Sequence, residues 1–172
     1  KNTRFYEIDC NDLKAMTSAM KNTDIVFHTA CTAYEGLSVF SPDLICKNTY
    51  QIGVTTMTAA IKNNVKKFIH CSSMARYGEH IKGNQPFKED QKCFPQDPYG
   101  ISKLALEKLL KNLSEVHNID LVITVPHNII GQRQKYDDPF RNVVAIMINL
   151  MLQKRQPIVY GDGNQVRCFS PI

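Results

Sequence analysis

Apolar and polar positions along the chain form blocks that alternate between the pattern of buried strands and the pattern of amphipathic helices. Near-continuous apolar runs indicate strands that are covered on both faces. Strands are predicted at 4–9, 24–30, 66–73, 119–126 and 157–160. Apolar residues at helical spacing predict helices at 11–21, 42–63, 98–117 and 138–152. The polar segment 78–92 is too irregular to form either element.

Capping residues support three of the helix starts. Asn11 is a plausible N-cap for the first helix, and Ser41 precedes Pro42 at the first position of the second. Asp97 and Pro98 repeat that arrangement at the start of the helix over 98–117. The order of strands and helices therefore rests on end signals as well as on periodicity.

Strands that alternate with helices predict an α/β fold with a doubly wound, mostly parallel sheet and right-handed crossovers. Ligands of such sheets bind beyond the carboxyl ends of the strands. Here those ends read T-A-C at 29–31, C-S-S at 71–73 and V-P-H-N at 125–128. They are small or polar, unlike the strands before them, so the functional site is expected there.

Composition narrows the class of protein. The 172 residues suffice for about one domain, and 43% hydrophobic with 22% charged residues is typical of a packed globular core. The net charge of +5 is spread along the chain, and a solvated helix end explains the small cluster of Lys62, Lys66 and Lys67 better than nucleic-acid binding does. No apolar run is long enough to span a membrane, and there is no signal peptide pattern.

The six cysteines have no spacing that predicts a metal site or a redox pair. None forms C-x-x-C, and none has a histidine at zinc spacing. Several lie within apolar runs, where a thiol behaves as a small buried side chain. We expect reduced cysteines, no metal and a cytoplasmic protein.

Candidate chemistry lies in two short patterns. Tyr99 and Lys103 are four residues apart on a predicted helix, so they share one face, although an ordinary surface pair has the same spacing. An ammonium beside a phenol would lower the phenol's pKa and make a base that takes a proton from a sugar hydroxyl. Ser72 and Ser73 end a predicted strand, where a hydroxyl can share that proton or simply form a turn. Such chemistry needs an acceptor for hydride, which implies a nicotinamide cofactor.

Six blocks of sequence, in order, resemble the NAD-dependent epimerase/dehydratase family, the extended short-chain dehydrogenase/reductases. The likeness is strongest to UDP-glucose 4-epimerase-like nucleotide-sugar epimerases and covers nearly the whole chain. The blocks are D-I-V-F-H-T-A-C (24–31), K-N-T-Y-Q-I-G (47–53), F-I-H-C-S-S-M-A-R-Y-G (68–78), P-Y-G-I-S-K (98–103), V-P-H-N-I-I-G (125–131) and Y-G-D-G-N-Q-V-R-C-F-S (160–170).

The resemblance implies a Rossmann-like fold and a role for each matching residue. Tyr99 is the base for the sugar 4-hydroxyl, Lys103 lowers its pKa and holds the nicotinamide ribose, and Ser73 bonds the reacting oxygen. The cofactor-binding residues implied by the resemblance are Asp9, Cys10, Thr29, Ala30, Cys31, Asn48, Cys71, Tyr99, Lys103 and Pro126 with its neighbour His127. The implied substrate-binding residues are Ser73, Asn128, Tyr160 and Arg167, of which Asn128 and Arg167 would hold the diphosphate.

The implied reaction is transient oxidation at C4 of a nucleotide sugar by bound NAD, as in an isomerase that interconverts UDP-glucose and UDP-galactose. Dehydratases of the family carry an acidic residue just after the active serine or threonine, whereas this chain has Met74 and Ala75, so dehydration is disfavoured. Two alternatives stay open, a reductase or dehydrogenase of the same fold that consumes NAD or NADP, and a non-catalytic NAD-binding regulator. The resemblance also implies a homodimer through the two long helices, with no nucleic-acid or membrane partner.

One family feature is missing from the sequence. None of the eight glycines has the spacing of the glycine-rich loop that holds the cofactor's pyrophosphate. From the resemblance we also expect the first two strands of the family fold and the C-terminal lobe to be absent from this sequence. We therefore expect an incomplete Rossmann-like domain over 1–156 and the start of a substrate-binding region over 157–172. This excerpt alone is expected to bind NAD weakly and to be inactive.

Overall fold

The computed structural model describes residues 3–78, 86–138 and 143–172. The helices are α1 (Leu13–Ala19), α2 (Pro42–Ile45), α3 (Ile52–Lys62), α4 (Pro98–His117) and α5 (Val143–Leu152). A π-helical segment, Cys46–Gln51, joins α2 to α3, and a 3₁₀ turn covers Met74–Arg76. The strands are β1 (Ile25–His28), β2 (Lys67–Cys71), β3 (Asp120–Thr124), β4 (Ile129–Ile130) and β5 (Ser170–Pro171).

The first compact unit, Lys1–Val125, is built on a parallel three-stranded sheet in the order β1-β2-β3. This confirms the predicted α/β class with a parallel sheet. His28 lies opposite His70, and Cys71 lies opposite Thr124. The carboxyl ends of β1 and β2 are therefore adjacent, and the segments that follow them begin at the same edge of the sheet.

The core of this unit forms where helices cover one face of the sheet. Phe68 on β2, Met57 on α3 and Leu106 and Leu110 on α4 are fully buried in one hydrophobic cluster. His28 and His70 are buried on the same face, because side chains two apart on a strand point the same way. The other face of β1 is open in the described part of the chain, where Phe27 is 71% exposed, although the apolar run predicted cover on both faces.

Most predicted elements are present with slightly shorter ends, and two strands are not. Residues 4–9 form no strand and are exposed, and 157–160 also form none. Apolar sequence alone does not make a strand, which needs a neighbour to take its backbone hydrogen bonds. Parts of two predictions, 79–85 within the irregular segment and 139–142 within the last helix, lie outside the described residues.

Helix caps match the predictions at one start and differ at two. Asp97 caps α4, with its Oδ1 accepting the Gly100 N–H at 2.9 Å. The cap of α1 is Asp12 rather than Asn11, since Asp12 Oδ1 accepts the Ala15 N–H at 2.9 Å. Ser41 occupies the predicted position before Pro42 without a side-chain capping bond.

The second compact unit, Pro126–Ile172, contains β4, α5 and β5. Strands β4 and β5 pair in parallel, with Ile129 opposite Ser170 and Ile130 opposite Pro171. The Ser170 and Ile172 N–H groups donate to the Asn128 and Ile130 carbonyls, so proline occupies the one position of β5 whose N–H the ladder does not use. Within the described residues, no helix has the length and apolar character needed to cross a membrane.

Candidate active site

Ser73 stands at the end of β2, where the chain leaves the sheet. Its backbone is extended, with φ −155° and ψ 150°, and it caps the 3₁₀ turn, since Ser73 Oγ accepts the Ala75 N–H at 3.2 Å. The capping bond fixes the direction of the hydroxyl oxygen. The predicted turn role and the predicted site role of this serine are therefore compatible.

Tyr99 lies in the first turn of α4, which passes unusually close to the 3₁₀ turn. A Cβ atom added to Gly100 would lie 2.6 Å from the Ala75 carbonyl oxygen, so only glycine permits this approach. Tyr99 itself is 7% exposed and packs against Ile45 and Ala75. The close approach brings the phenol within hydrogen-bonding reach of the Ser73 hydroxyl.

The pKa of the Tyr99 phenol is raised rather than lowered, which contradicts the prediction. Burial is the largest cause, because it penalises the phenolate, and the neighbouring Cys31 thiol raises the pKa further. The hydrogen bond with Ser73 acts in the opposite direction. Tyr99 therefore keeps its proton at neutral pH in this structure.

Lys103 is fully enclosed one helical turn after Tyr99. Its Nζ donates to the Cys71 carbonyl at 2.8 Å and lies 5.8 Å from the centroid of the Tyr99 ring. An ammonium carries three N–H donors, and among the described residues the Cys71 carbonyl takes one of them. Lys103 thus holds a buried positive charge at the end of β2, with donor capacity beyond that bond.

Two stacked histidines lie beside Lys103. The His28 and His70 ring centroids are 5.4 Å apart with an 18° angle between planes. Burial first, and then the Lys103 charge, lower the pKa of His28 to about 4 and that of His70 to about 3. Both imidazoles are neutral at pH 7, so the ammonium faces uncharged rings.

Helix α4 touches three consecutive residues at the end of β2. Tyr99 reaches Ser73, Lys103 bonds the Cys71 carbonyl, and Glu107 accepts a hydrogen bond from the Ser72 hydroxyl. The three helix residues are spaced four apart, so they project from one face. One face of one helix therefore fixes the whole strand end.

Glu107 and Arg76 are the site residues that sequence reasoning missed. Arg76 Nη1 donates to Glu107 Oε2 at 2.6 Å, and both side chains are more than nine-tenths buried. The available signal was the spacing of Glu107, four residues after Lys103 and eight after Tyr99. A basic residue three positions after Ser73 gave no hint of its partner 31 residues away.

The predicted cofactor residues of the first unit fall into two groups. Cys31 packs against the cluster of Ile45, Ala75 and Tyr99, and Ala30 precedes it at the end of β1, with Thr29 exposed. The Asn48 carbonyl accepts the Thr32 N–H at 3.1 Å, which ties the π-helical segment to this strand end. Of these residues, Cys31 lies beside Tyr99, and the cofactor contacts of the whole group stay a prediction.

Asp9 and Cys10 lie in the extended segment before α1. Asp9 Oδ1 accepts the Asn11 N–H at 2.8 Å, and hydrogen bonds from Asn11 lower the pKa of the Asp9 carboxyl. Cys10 is partly buried against the main core. The carboxylate is exposed and its pKa is lowered, and its contact with the adenine end of the cofactor stays a prediction.

The remaining predicted residues belong to the second unit. Asn128 adopts φ 41° and donates from its side chain to the Cys168 carbonyl at 3.0 Å. The pKa of His127 is lowered by burial and by the nearby Arg167 charge, so these residues share one region of the unit. Tyr160 and Arg167 are exposed, and Pro126 begins the unit.

A cavity of about 380 Å³ lies against the 3₁₀ turn that follows Ser73 in the first unit. It is lined by Glu35, Met74, Ala75, Gly78, Gln96 and Asp97. Met74 and Ala75, the residues immediately after Ser73, form its wall and bring no acid or base to it. The acidic residues that line it are Glu35 and the helix cap Asp97.

Comparison with known proteins gives relatives of several activities, among them epimerases, dehydratases and a decarboxylase. A putative UDP-glucose 4-epimerase of Methanocaldococcus jannaschii is 32% identical over 156 residues, which are 87% of this chain and 48% of the relative. A dTDP-glucose 4,6-dehydratase of Streptomyces antibioticus is 29% identical over 163 residues, which are 95% of this chain and 47% of the relative. The chain spans about half the length of these relatives.

A solved structure and a family-wide comparison both indicate the same family. The UDP-glucose 4-epimerase of Thermotoga maritima, crystallised with UDP-glucose, superposes with a TM-score of 0.91 at 30% identity, over 97% of this chain and 54% of that one. The NAD dependent epimerase/dehydratase family matches residues 1–170. The chain therefore belongs to that NAD-dependent family and has its Rossmann fold, as the six sequence blocks predicted.

Proposed function

We propose that this chain carries the catalytic residues of a nucleotide-sugar 4-epimerase of the UDP-glucose/UDP-galactose type. The observation that carries the proposal is the cluster of Ser73, Tyr99 and Lys103, in which a serine hydroxyl meets a phenol beside a buried ammonium. The relatives named as UDP-glucose 4-epimerases support the sugar nucleotide.

The chain fits the nicotinamide end of NAD. Lys103 has donor capacity for ribose hydroxyls, and Ala30 and Cys31, which follow β1, are small residues. When bound, NAD supplies the hydride acceptor and a positively charged ring, and a positive charge lowers the pKa of a neighbouring phenol. Within this sequence, no glycine-rich loop is available for the pyrophosphate.

In this proposal each side chain has one task. Tyr99 takes the proton of the sugar 4-hydroxyl and returns it, and Ser73 bonds the same oxygen so that it stays in line with the phenol. Lys103 stabilises the phenolate that Tyr99 must become. Asn128 and Arg167 are proposed to bind the diphosphate, with Tyr160 beside the nucleotide base.

The absence of an acid or base at Met74 and Ala75 favours epimerisation over dehydration. Elimination of water needs a proton donor and acceptor next to the reacting carbons. The cavity wall after Ser73 offers a thioether and a methyl group instead. A dehydratase would release a product lighter by one water, and a reductase would consume added NADH or NADPH, so mass spectrometry and cofactor absorbance separate the three activities.

The test is turnover of UDP-glucose and UDP-galactose by the full-length protein without added NAD. Tyr99→Phe should lower kcat by at least about a hundredfold, because general base catalysis contributes that much. Tyr50→Phe, a partly buried tyrosine packed against the main core, is the matched control and should keep its activity. Undiminished turnover in Tyr99→Phe would contradict the catalytic role of Tyr99, and absence of turnover in the wild-type protein would favour a non-catalytic binding protein.

A further inference from the structure

The buried ion pair between Arg76 and Glu107 bonds to the segment that carries Ser73. One carboxylate oxygen of Glu107 accepts Arg76 Nη1 at 2.6 Å, and the other accepts the Ser72 hydroxyl. Both oxygens are thus in use, and each bond comes from the stretch 72–76. The carboxylate bridges two points on either side of Ser73.

Arg76 also binds the neighbouring segment 86–94. Its Nη2 donates to the Glu89 carbonyl at 2.6 Å, and its guanidinium lies 4.7 Å from the centre of the Tyr77 ring. Tyr77 in turn stacks on Phe87 at 4.6 Å with nearly parallel planes. These contacts hold the guanidinium in one orientation, so the carboxylate that it binds is also held.

We propose that Glu107 is a positioning residue for the Ser73–Tyr99 pair, and that Arg76 holds its carboxylate in the orientation that accepts the Ser72 hydroxyl. Ser72 precedes Ser73, and Glu107 shares a helix face with Tyr99 and Lys103. Fixing Ser72 to that helix therefore fixes the Ser73 hydroxyl relative to the phenol. The kinetic part of this inference rests on the proposed function, whereas the positioning of Ser73 can be measured without turnover.

The charge of the pair and the bond to Ser72 can be separated by design. Removal of one partner would leave a buried unpaired charge, which destabilises a fold, whereas apolar replacement of both partners is often tolerated. R76M/E107Q removes the charges and keeps an amide oxygen for Ser72. R76M/E107M removes the charges and that acceptor together, so the two variants differ in whether residue 107 can accept the Ser72 hydroxyl.

The experiment compares these two variants in the full-length protein. R76M/E107Q should retain kcat within about threefold, and R76M/E107M should lose about ten- to a hundredfold in kcat with KM unchanged, as expected for a small misplacement of a reacting group. Thermal midpoints of the two variants should agree within a few degrees. Ser114→Ala, which removes another buried hydroxyl of α4, is the control and should change none of these values.

A second measurement requires no turnover. The Ala75 N–H donates to Ser73 Oγ, so hydrogen exchange over 72–76 reports the position of Ser73 directly. Exchange should be faster in R76M/E107M than in R76M/E107Q. If R76M/E107M fails to fold, Ser72→Ala removes the same bond with the ion pair intact and should show the same loss of kcat and faster exchange.

Two results would overturn the inference. One is equal kcat and equal exchange in the two double variants, and the other is wild-type behaviour in Ser72→Ala. If the wild-type protein turns over no nucleotide sugar, the proposed function fails, and hydrogen exchange alone then decides the positioning role.

Discussion

Burial acts in opposite directions on the titrating groups around Lys103. It raises the pKa of the Tyr99 phenol and lowers the pKa values of His28 and His70, because it penalises the charged form of each. All of them are neutral at pH 7, and Lys103 is the charged group among them. The sequence showed the spacing of Tyr99 and Lys103, whereas the protonation state of Tyr99 depended on what encloses it.

The buried histidines should make the protein sensitive to acid. Their pKa values are depressed in the folded state, so the unfolded chain binds more protons below its own pKa of about 6.5, and stability falls as pH drops from there towards 3. The loss should be of order 3 kcal/mol for each histidine between pH 7 and pH 4. Urea unfolding across that pH range measures it.

Replacement of one histidine tests this assignment. His70→Phe should flatten the dependence of the urea midpoint on pH, since one of the two histidines with a depressed pKa has been removed. An unchanged slope in His70→Phe would assign the acid sensitivity to other groups.

The helices show what the pattern of apolar and capping residues in the sequence can and cannot predict. Helix α4 begins and ends as predicted, because Asp97, Pro98 and the apolar spacing all agree within twenty consecutive residues. The π-helical segment Cys46–Gln51 interrupts the second predicted helix without a sequence signal. There the Ile52 N–H donates to the carbonyl of Lys47, five residues back. The Asn48 carbonyl accepts the N–H of Thr32, which lies in a distant segment.

Glycine at position 100 sets the distance between α4 and the turn after Ser73. Gly100→Ala should destabilise the protein by ~1–3 kcal/mol, because the added methyl overlaps the Ala75 carbonyl, a backbone atom that cannot move aside freely. It should also lower kcat more than KM by moving Tyr99 from Ser73. Thermal unfolding and steady-state kinetics measure the two effects.

Gly36→Ala is the matched control, since a Cβ at that position would meet no atom within 4 Å. It should leave both stability and kcat close to the wild type. Equal effects of the two substitutions would show that the approach of α4 to the turn is not what Gly100 provides.

For the whole molecule we propose a homodimer that forms through the helical regions 42–63 and 98–117. Apolar side chains stand exposed on them in the first unit, with Leu44 on α2 at 49%, and Ile101 and Val116 on α4 at 53% and 68%. Exposed apolar residues on neighbouring helices are typical of an interface between subunits. Leu44→Glu together with Val116→Glu should convert the dimer to a monomer in light scattering.

Charge changes elsewhere on α4 control for this test. Lys111 is exposed on the same helix, and Lys111→Glu should leave the mass of the protein in solution unchanged. A wild-type protein that is already monomeric at micromolar concentration would contradict the proposed dimer.

The sequence by itself determined most helices, the three strands of the parallel sheet, the α/β class and the family, because these follow from local periodicity, caps and short blocks of residues. It also placed Ser73, Tyr99 and Lys103 on elements that could meet. Only the tertiary structure decided that Glu107 would bind Ser72 and Arg76, that Tyr99 would keep its proton, and that 4–9 would form no strand. Those outcomes depend on burial and on contacts between residues far apart in the chain, and neither is encoded in the local pattern.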